Sequence, residues 1–337
     1  MVSKFKMLST KSLIVIALLA TSCANDDSAI TAIDHQNEIS NDLKTRNRSK
    51  DKLSWGIQKT GYQNVENDQN YSGKKIWIID SGIAKIDALN INEDLSRNFA
   101  PDSNGNIDPK AWTDQRGHGT SVAAVAAAKE LGNGYTGVAA GAEVVAIKII
   151  NERGNIAPIL IDALAYVNDK IKPGDVWNMS LGSLRPLDAM GSEDLENWKE
   201  IQILLKKLEK KAPGTIAAGN FPAPLDKYPY PESYFSDNHD QIYIVGAVNE
   251  NEKVRGAFGK VIDFFAPGYN LPILTNKGVL DNDNDSDNQG TSLAAPHIAG
   301  LLFIGHYDTS HSIKEQEFRA GLKQESRPIP VILNTRK

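Results

Sequence analysis

Residues 74–83 read KKIWIIDSGI, a run of β-branched and aromatic side chains that stops at Asp80. An almost unbroken apolar run is typical of a strand covered on both faces, as in a parallel sheet packed between helices. In open α/β sheets, binding and catalytic sites form beyond the carboxyl ends of the strands. The stretch therefore predicts a buried central strand that places Asp80 at the edge where a site would form.

The same texture, with short apolar runs separated by helical segments, continues along the chain. Further strands are predicted at 143–150, 175–181, 215–220, 242–248 and 261–266. Helices are predicted at 120–130, 158–168, 192–211 and 312–322, the third with Ser192 as its N-cap. Alternating strands and helices indicate an α/β fold, and we predict a three-layer doubly wound sandwich with a mostly parallel central sheet.

Two other segments place polar side chains at the starts of helices made of small residues. Residues 116–128 read RGHGTSVAAVAAA, with His118 between two glycines. Residues 290–300 read GTSLAAPHIAG, with Ser292 at the third position. Because helix N-termini and strand ends meet at one edge of such a sheet, Asp80, His118 and Ser292 are expected to converge.

These residue types suit nucleophilic catalysis by a serine. A serine hydroxyl needs a neighbouring base to remove its proton, and imidazole is the base whose pKa suits neutral pH. A buried carboxylate holds the imidazole in one tautomer and stabilises the imidazolium that forms. Residues 215–220 read TIAAGN and end in Asn220, whose amide could stabilise an oxyanion together with the backbone N–H of Ser292.

Taken together, these segments resemble those of the subtilisin-like serine peptidases (subtilases, peptidase family S8). The chain order in that family is aspartate, histidine and serine, as in Asp80, His118 and Ser292. The resemblance covers roughly residues 53–324 and implies a serine endopeptidase that works through an acyl-enzyme, with Asn220 as an oxyanion donor. It also implies chemistry that requires no cofactor and a protein or peptide as the substrate.

The segment 175–183, DVWNMSLGS, extends the resemblance to substrate binding. It resembles the family segment whose backbone, here Ser180, Leu181 and Gly182, pairs with an extended substrate as an added strand. The alternative is an ordinary loop. Phe221 departs from the family pattern, since a small or acidic residue is frequent there, and it implies a narrowed or apolar rim of the S1 pocket.

Other functions remain open for these residues. Asp80 could cap a turn and Ser292 a helix, which would leave a non-catalytic surface-binding lipoprotein with a subtilisin-like fold. An esterase would share the chemistry, but the G-x-S-x-G motif of many serine hydrolases is absent around Ser292.

The amino-terminal residues predict export. Residues 1–22 combine lysines with an apolar core too short to cross a bilayer, as in a signal peptide. The junction before Cys23 resembles a bacterial lipobox, although Ala20 stands where leucine is usual. We predict a lipid anchor on Cys23 at the outer membrane or cell surface of a Gram-negative bacterium. The alternative is an ordinary signal peptide followed by an incidental cysteine.

The rest of the chain divides around the predicted peptidase domain at 53–324. Residues 23–52 are polar and predict a flexible tether or short pro-segment, and 325–337 form a C-terminal tail. The net charge of −5 and the absence of a basic stripe exclude nucleic acid as an expected partner. A single cysteine excludes an intrachain disulfide and a Cys-rich metal site. We expect a monomer.

Two acidic segments suggest structural calcium. Oxygen ligands at alternate positions are typical of calcium loops. Residues 281–288 read DNDNDSDN and offer Asp281, Asp283, Asp285 and Asp287, and residues 102–108 read DSNGNID. Neither segment matches an EF-hand, and for each the alternative is a solvated acidic loop.

Overall fold

The computed structural model describes most of the chain from Ser54 to Gly305. The described residues are 54–60, 71, 73–132, 134–150, 156–181, 187–225, 239–282 and 289–305, with two short strands at 312–313 and 329–330. All of them lie in the compact unit Arg48–Lys337. The predicted signal peptide (1–22) and tether (23–52) lie outside the described residues.

Within these ranges the elements alternate as predicted. The helices are α1 (Trp55–Lys59), α2 (His118–Ala127), α3 (Ile156–Lys170), α4 (Ser192–Glu209) and α5 (Thr291–Ile304). The main-sheet strands are β1 (Lys75–Asp80), β2 (Asn90–Ile91), β3 (Arg97–Asn98), β4 (Glu143–Lys148), β5 (Val176–Met179), β6 (Gly214–Ala217), β7 (Ile242–Val248), β8 (Val254–Arg255) and β9 (Phe264–Pro267). Two separate antiparallel pairs are formed by β10 (Ile273–Leu274) with β11 (Leu280–Asp281) and by β12 (Ser312–Ile313) with β13 (Ile329–Pro330).

The main sheet has nine described strands in the order β2-β4-β1-β5-β6-β7-β8, with β3 also on β4 and β9 also on β7. All its pairings are parallel except that of β7 with β8. The predicted mostly parallel sheet is confirmed. The strand quoted first, β1, lies between β4 and β5, and its Asp80 ends beside Lys148 of β4.

Alternate residues of β1 face opposite layers of helices. Trp77 and Ile79 share an apolar cluster with α3 and α4. Ile76 and Ile78 share another cluster with α2 and α5. Since side chains alternate along a strand, Asp80 points to the same side as Ile76 and Ile78, towards α2 and α5. The three-layer α/β sandwich is confirmed, and this alternation sets the direction of the Asp80 side chain.

Several predicted boundaries differ from those observed. The strands β5 and β6 end at Met179 and Ala217, so Ser180 and Asn220 lie in the turns beyond them. The N-cap of α4 is Gly191, in extended backbone conformation, and the predicted cap Ser192 is the first helical residue. Strand ends depend on where neighbouring strands stop pairing, which local sequence does not record, and the cap of α4 differs from the prediction by one residue.

The predicted helix at 312–322 is wrong at its first two residues. Ser312 and Ile313 form β12 and pair with Pro330 and Ile329 of β13. The partner strand lies in the predicted tail, so this pairing between distant residues overrides the local helical pattern.

Acid lability is the first property that the packing predicts. His297 in α5 is fully buried, donates from Nδ1 to the Leu293 carbonyl at 2.7 Å, and lies against Gly56 of α1. Burial lowers the pKa of His297 from 6.5 to about 4. Unfolded chains therefore take up this proton below pH 6.5 and the folded protein does not, so stability falls by about 3 kcal/mol between pH 6.5 and 4.

The matched variant is His297→Gln, which is neutral throughout this range. Urea unfolding from pH 4 to 7 should give a free energy of unfolding whose fall towards acid is about 3 kcal/mol smaller in the variant. An equal fall in both proteins would contradict a buried neutral imidazole.

Candidate active site

Asp80 and His118 are in direct contact. The Asp80 side chain is fully buried, and its Oδ1 accepts hydrogen bonds from His118 Nδ1 and from the Ser81 backbone N–H, both at 2.7 Å. A carboxylate can only accept, so Nδ1 carries the proton and Nε2 is left with its lone pair. Among the described residues, Asp80 Oδ2 has no hydrogen-bond partner. One carboxylate oxygen therefore fixes the imidazole tautomer.

Two glycines allow His118 to approach this closely. Gly117 caps α2 with a φ of 92°, a left-handed conformation that suits glycine. A Cβ at Gly119 would collide with the carbonyl oxygen of Gly82 and lie 3.2 Å from Asp80 Oδ1. The first turn of α2 therefore packs directly on the end of β1.

The charge of Asp80 sets the protonation of His118. The Asp80 carboxylate raises the pKa of His118 above its ordinary value of 6.5, and burial of the ring opposes this only in part. The His118 side chain remains 23% exposed, so the imidazole can meet a second molecule.

Asp114 is a buried carboxylate that the sequence analysis missed. Its Oδ1 accepts from Ser81 Oγ and from the backbone N–H groups of Arg116 and Gly117. Its Oδ2 accepts from the N–H and hydroxyl of Thr120. Asp114 thus ties the start of α2 to the turn after β1. The available signal was an aspartate just before a helix start, where such side chains bind backbone N–H groups.

Ser292 is the second residue of α5 and contacts Ser180, the residue that follows β5. Its Oγ donates to the carbonyl oxygen of Ser180 at 3.3 Å. The register of β1 and β5 pairs Ile79 with Met179, so Ser180 follows at the level of Asp80. The structure therefore brings Asp80, His118 and Ser292 to one edge of the sheet. A hydroxyl donates one proton, so this Ser292 rotamer does not donate to His118.

Asn220 lies against the residues that precede Ser292. Its Oδ1 accepts from the N–H and the hydroxyl of Thr291, each at 2.9 Å. These contacts identify the amide oxygen, and Nδ2 is left as a donor. A Cβ at Gly290 would lie 2.6 Å from Nδ2, and the φ of 138° at Gly290 likewise requires glycine. As the second residue of a helix, Ser292 also has a backbone N–H without an intrahelical acceptor.

The remaining predicted site residues are only partly described. Ser180 is buried, and Leu181 is half-buried at the end of the described segment. Gly182, Cys23, Asp283, Asp285 and Asp287 lie outside the described residues. Phe221 is 64% exposed beside Asn220.

The described part of the chain contains no group of three His, Cys, Asp or Glu side chains that could hold a metal ion. In the loop 102–108, Asp102 Oδ1 accepts from the N–H groups of Asn104 and Asn106, which organises the loop itself. Asp281 lies in β11 beside Ile273. The calcium loop at 281–288 stays a prediction, because most of it is outside the described residues.

No helix in the described ranges has both the length and the apolar composition needed to cross a bilayer.

In a mostly parallel α/β sandwich, an aspartate–histidine pair at the same sheet edge as a serine near a helix start is the arrangement expected of a serine hydrolase. The family comparison makes this specific, since residues 71–317 match the model of the subtilase family, Peptidase_S8. The chain belongs to the subtilase family and is a serine peptidase.

Curated relatives agree with this assignment. The chain is 28% identical over 286 residues to the intracellular serine protease of Paenibacillus polymyxa, covering 81% of this chain and 80% of that protein. It is 30% identical over 257 residues to Subtilisin Savinase of Lederbergia lenta, covering 75% and 83% respectively.

Solved structures share the fold. The epidermin leader peptide processing serine protease of Staphylococcus aureus matches with a TM-score of 0.60 and 21% identity, over 74% of this chain and 69% of that one. The nisin leader peptidase NisP of Lactococcus lactis matches with a TM-score of 0.60 and 20% identity, over 74% and 82%.

Proposed function

We propose that the protein is a serine endopeptidase that cleaves protein or peptide substrates through an acyl-enzyme, with Asp80, His118 and Ser292 as its catalytic triad. The observation that carries this proposal is the 2.7 Å hydrogen bond from His118 Nδ1 to the buried Asp80, at the sheet edge where Ser292 lies in the first turn of α5. That bond leaves Nε2 as the base.

The first step is attack on the scissile carbonyl. The Ser292 hydroxyl turns from the Ser180 carbonyl to His118 Nε2, which removes its proton as Oγ bonds to the carbonyl carbon. The carbonyl π electrons move onto oxygen, and Asn220 Nδ2 and the Ser292 N–H donate to that oxyanion. Asp80 stabilises the imidazolium formed at His118.

The second step separates the two products. The intermediate collapses, the C–N bond breaks, and His118 returns the proton to the leaving amine. Water then attacks the ester carbonyl with His118 again as base, the bond between the carbonyl carbon and Ser292 Oγ breaks, and His118 returns the proton to Oγ as the acid product leaves. Because His118 must be neutral and Asp80 raises its pKa, kcat/KM should rise with pH through an acid limb above 6.5.

The same sheet edge also offers surfaces that could contact the substrate. The backbone from Ser180 to Gly182 is proposed to pair with the substrate as an added strand, and the exposed ring of Phe221 to border the pocket for the residue before the scissile bond. Cleavage profiling of a peptide library would report the resulting preference.

The oxyanion role of Asn220 can be separated from its contact with Thr291. Removing one such donor from subtilisin lowers kcat about 10²–10³-fold, and we expect the same for Asn220→Ala with little change in KM. Asn220→Asp keeps an oxygen for Thr291 but replaces the Nδ2 donor, so it should lose at least as much. An Asn220→Asp enzyme within threefold of wild type would contradict the role, and Asn251→Ala is the exposed control.

Peptide hydrolysis separates this proposal from a non-catalytic binding protein. The purified wild-type protein should cleave a peptide library or casein, and this activity should disappear on treatment with a fluorophosphonate. A folded protein that binds peptides without cleaving them would support the binding alternative.

We further propose export and a lipid anchor at Cys23, supported by the amino-terminal sequence. The names of the relatives include both intracellular and extracellular proteases. Full-length protein from a bacterial host should partition into Triton X-114, and Cys23→Ser should move it to the aqueous phase. Wild type in the aqueous phase would contradict the anchor.

We propose that residues 281–288 bind a calcium ion that stabilises the fold and takes no part in peptide hydrolysis. Chelation should lower the melting temperature of the protein, and an unchanged melting temperature would remove the proposal.

A further inference from the structure

Three polar side chains lie in the interior where β5 and β6 meet the start of α5. Asn178 and Thr215 pair across β5 and β6 and are fully buried, and Ser180 is almost so. Burying such groups is costly unless each finds a hydrogen-bond partner. Apolar residues would fill a buried parallel strand at lower cost, so this polar set calls for a function.

The three side chains form one directed chain of hydrogen bonds. Thr215 Oγ1 lies 2.8 Å from Asn178 Oδ1, Asn178 Nδ2 lies 3.0 Å from Ser180 Oγ, and Ser180 Oγ lies 2.7 Å from the Ser292 carbonyl oxygen. The carbonyl can only accept, so Ser180 donates to it and accepts from Nδ2. Asn178 therefore presents its oxygen to Thr215, and every donor direction is fixed.

Pro296 explains why the Ser292 carbonyl needs an outside donor. In an α-helix the carbonyl of residue 292 accepts from the N–H of residue 296. Pro296 lies inside α5 and has no N–H. The Ser180 hydroxyl supplies the missing donor from the turn after β5.

We propose that Thr215 and Asn178 are positioning residues for the nucleophile, acting through Ser180 on the first turn of α5. The proposal rests on the proposed function, because the Ser292 carbonyl belongs to the residue whose Oγ attacks and whose N–H binds the oxyanion. Neither positioning residue touches the substrate. Displacement of a reacting group by about 1 Å can cost about 100-fold in rate. The hydrogen-bond series of Thr215, Asn178 and Ser180 is therefore expected to act on kcat.

The decisive variant is Thr215→Val, which removes one hydroxyl and keeps the shape. Thr215→Val removes the hydroxyl that donates to Asn178 Oδ1, so the Asn178 side chain is held less firmly against Ser180. We expect kcat and the rate of fluorophosphonate labelling to fall together by about tenfold or more, with KM and the acid-limb pKa unchanged because the Asp80–His118 pair is untouched. Thr215→Ser keeps the hydroxyl and should retain wild-type kcat.

Thr136→Val is the matched control. Thr136 is also buried, and its hydroxyl donates to the Ala128 carbonyl, away from this chain. Thr136→Val should lower the melting temperature about as much as Thr215→Val does, but it should leave kcat at the wild-type value. Equal kcat values for the two valine variants would overturn the proposal while the proposed function stands. A folded wild type without activity would overturn both.

Double variants test whether the residues act in series. Ser180→Ala removes the hydroxyl that donates to the Ser292 carbonyl. Adding Thr215→Val to that variant should therefore cause no further loss of kcat. Pro296→Ala restores a helical N–H to the Ser292 carbonyl, so Ser180→Ala should cost less in that background. If the losses of kcat are additive in both double-variant cycles, the hydrogen bonds of Thr215, Asn178 and Ser180 do not act as one series.

Discussion

Ser292→Ala should lower kcat by about 10⁶-fold, the loss that removal of the nucleophile causes in subtilisin. The hydroxyl is the only group of this residue that can form the acyl-enzyme, and the oxyanion donors alone leave a small residual rate. KM should change little, because the backbone of α5 is unaltered.

The fold of the Ser292→Ala protein should remain intact. The deleted hydroxyl makes one 3.3 Å hydrogen bond to the Ser180 carbonyl, worth about 1 kcal/mol. Urea unfolding checks this, and steady-state peptide hydrolysis measures kcat. Ser192→Ala, at the exposed start of α4, is the control and should retain full activity. More than a hundredth of wild-type activity in Ser292→Ala would contradict the assignment.

Asp80→Ala should lower kcat by about 10⁴-fold, close to the value for loss of the triad aspartate in subtilisin. The variant removes the acceptor that holds the His118 tautomer and the charge that raises its pKa. The acid limb of kcat/KM should therefore shift to lower pH while the maximum falls. Hydrolysis of a peptide between pH 5 and 9 measures both effects.

Asp80→Asn separates the charge from the hydrogen bond. In the wild type a single oxygen, Oδ1, accepts from both His118 and Ser81, so an asparagine could keep both contacts. It would lose the charge and place an NH2 group at the buried Oδ2 position, and the acid limb should again move to lower pH. A pH profile unchanged from wild type would contradict the electrostatic role of Asp80.

Much of the central sheet was predictable because its strands are buried on both faces. The runs ending at Asp80 and at Val248 give β1 and β7 with their observed bounds. Strand ends next to the site were less predictable, since β5 and β6 stop pairing before Ser180 and Asn220. The pairing of Ser312 with Pro330 joins distant residues and leaves no local pattern.

The site shows the same division. Asp80, His118 and Ser292 sit in short segments whose elements and order point to one sheet edge. Asp114 was missed because its partners lie on two segments, with Ser81 in the turn after β1 and Gly117 and Thr120 at the start of α2. Ser180 was predicted only for its backbone, and the role of its side chain depends on Asn178.

The central claim is that Ser292 is the nucleophile activated by His118, and locating a fluorophosphonate adduct tests it most directly. Folded wild-type protein is treated with the probe, digested and mapped by mass spectrometry. One adduct should appear on the peptide containing Ser292, and it should be absent from Ser292→Ala and strongly reduced in His118→Ala. An adduct on another residue, or none on the folded wild type, would contradict the account.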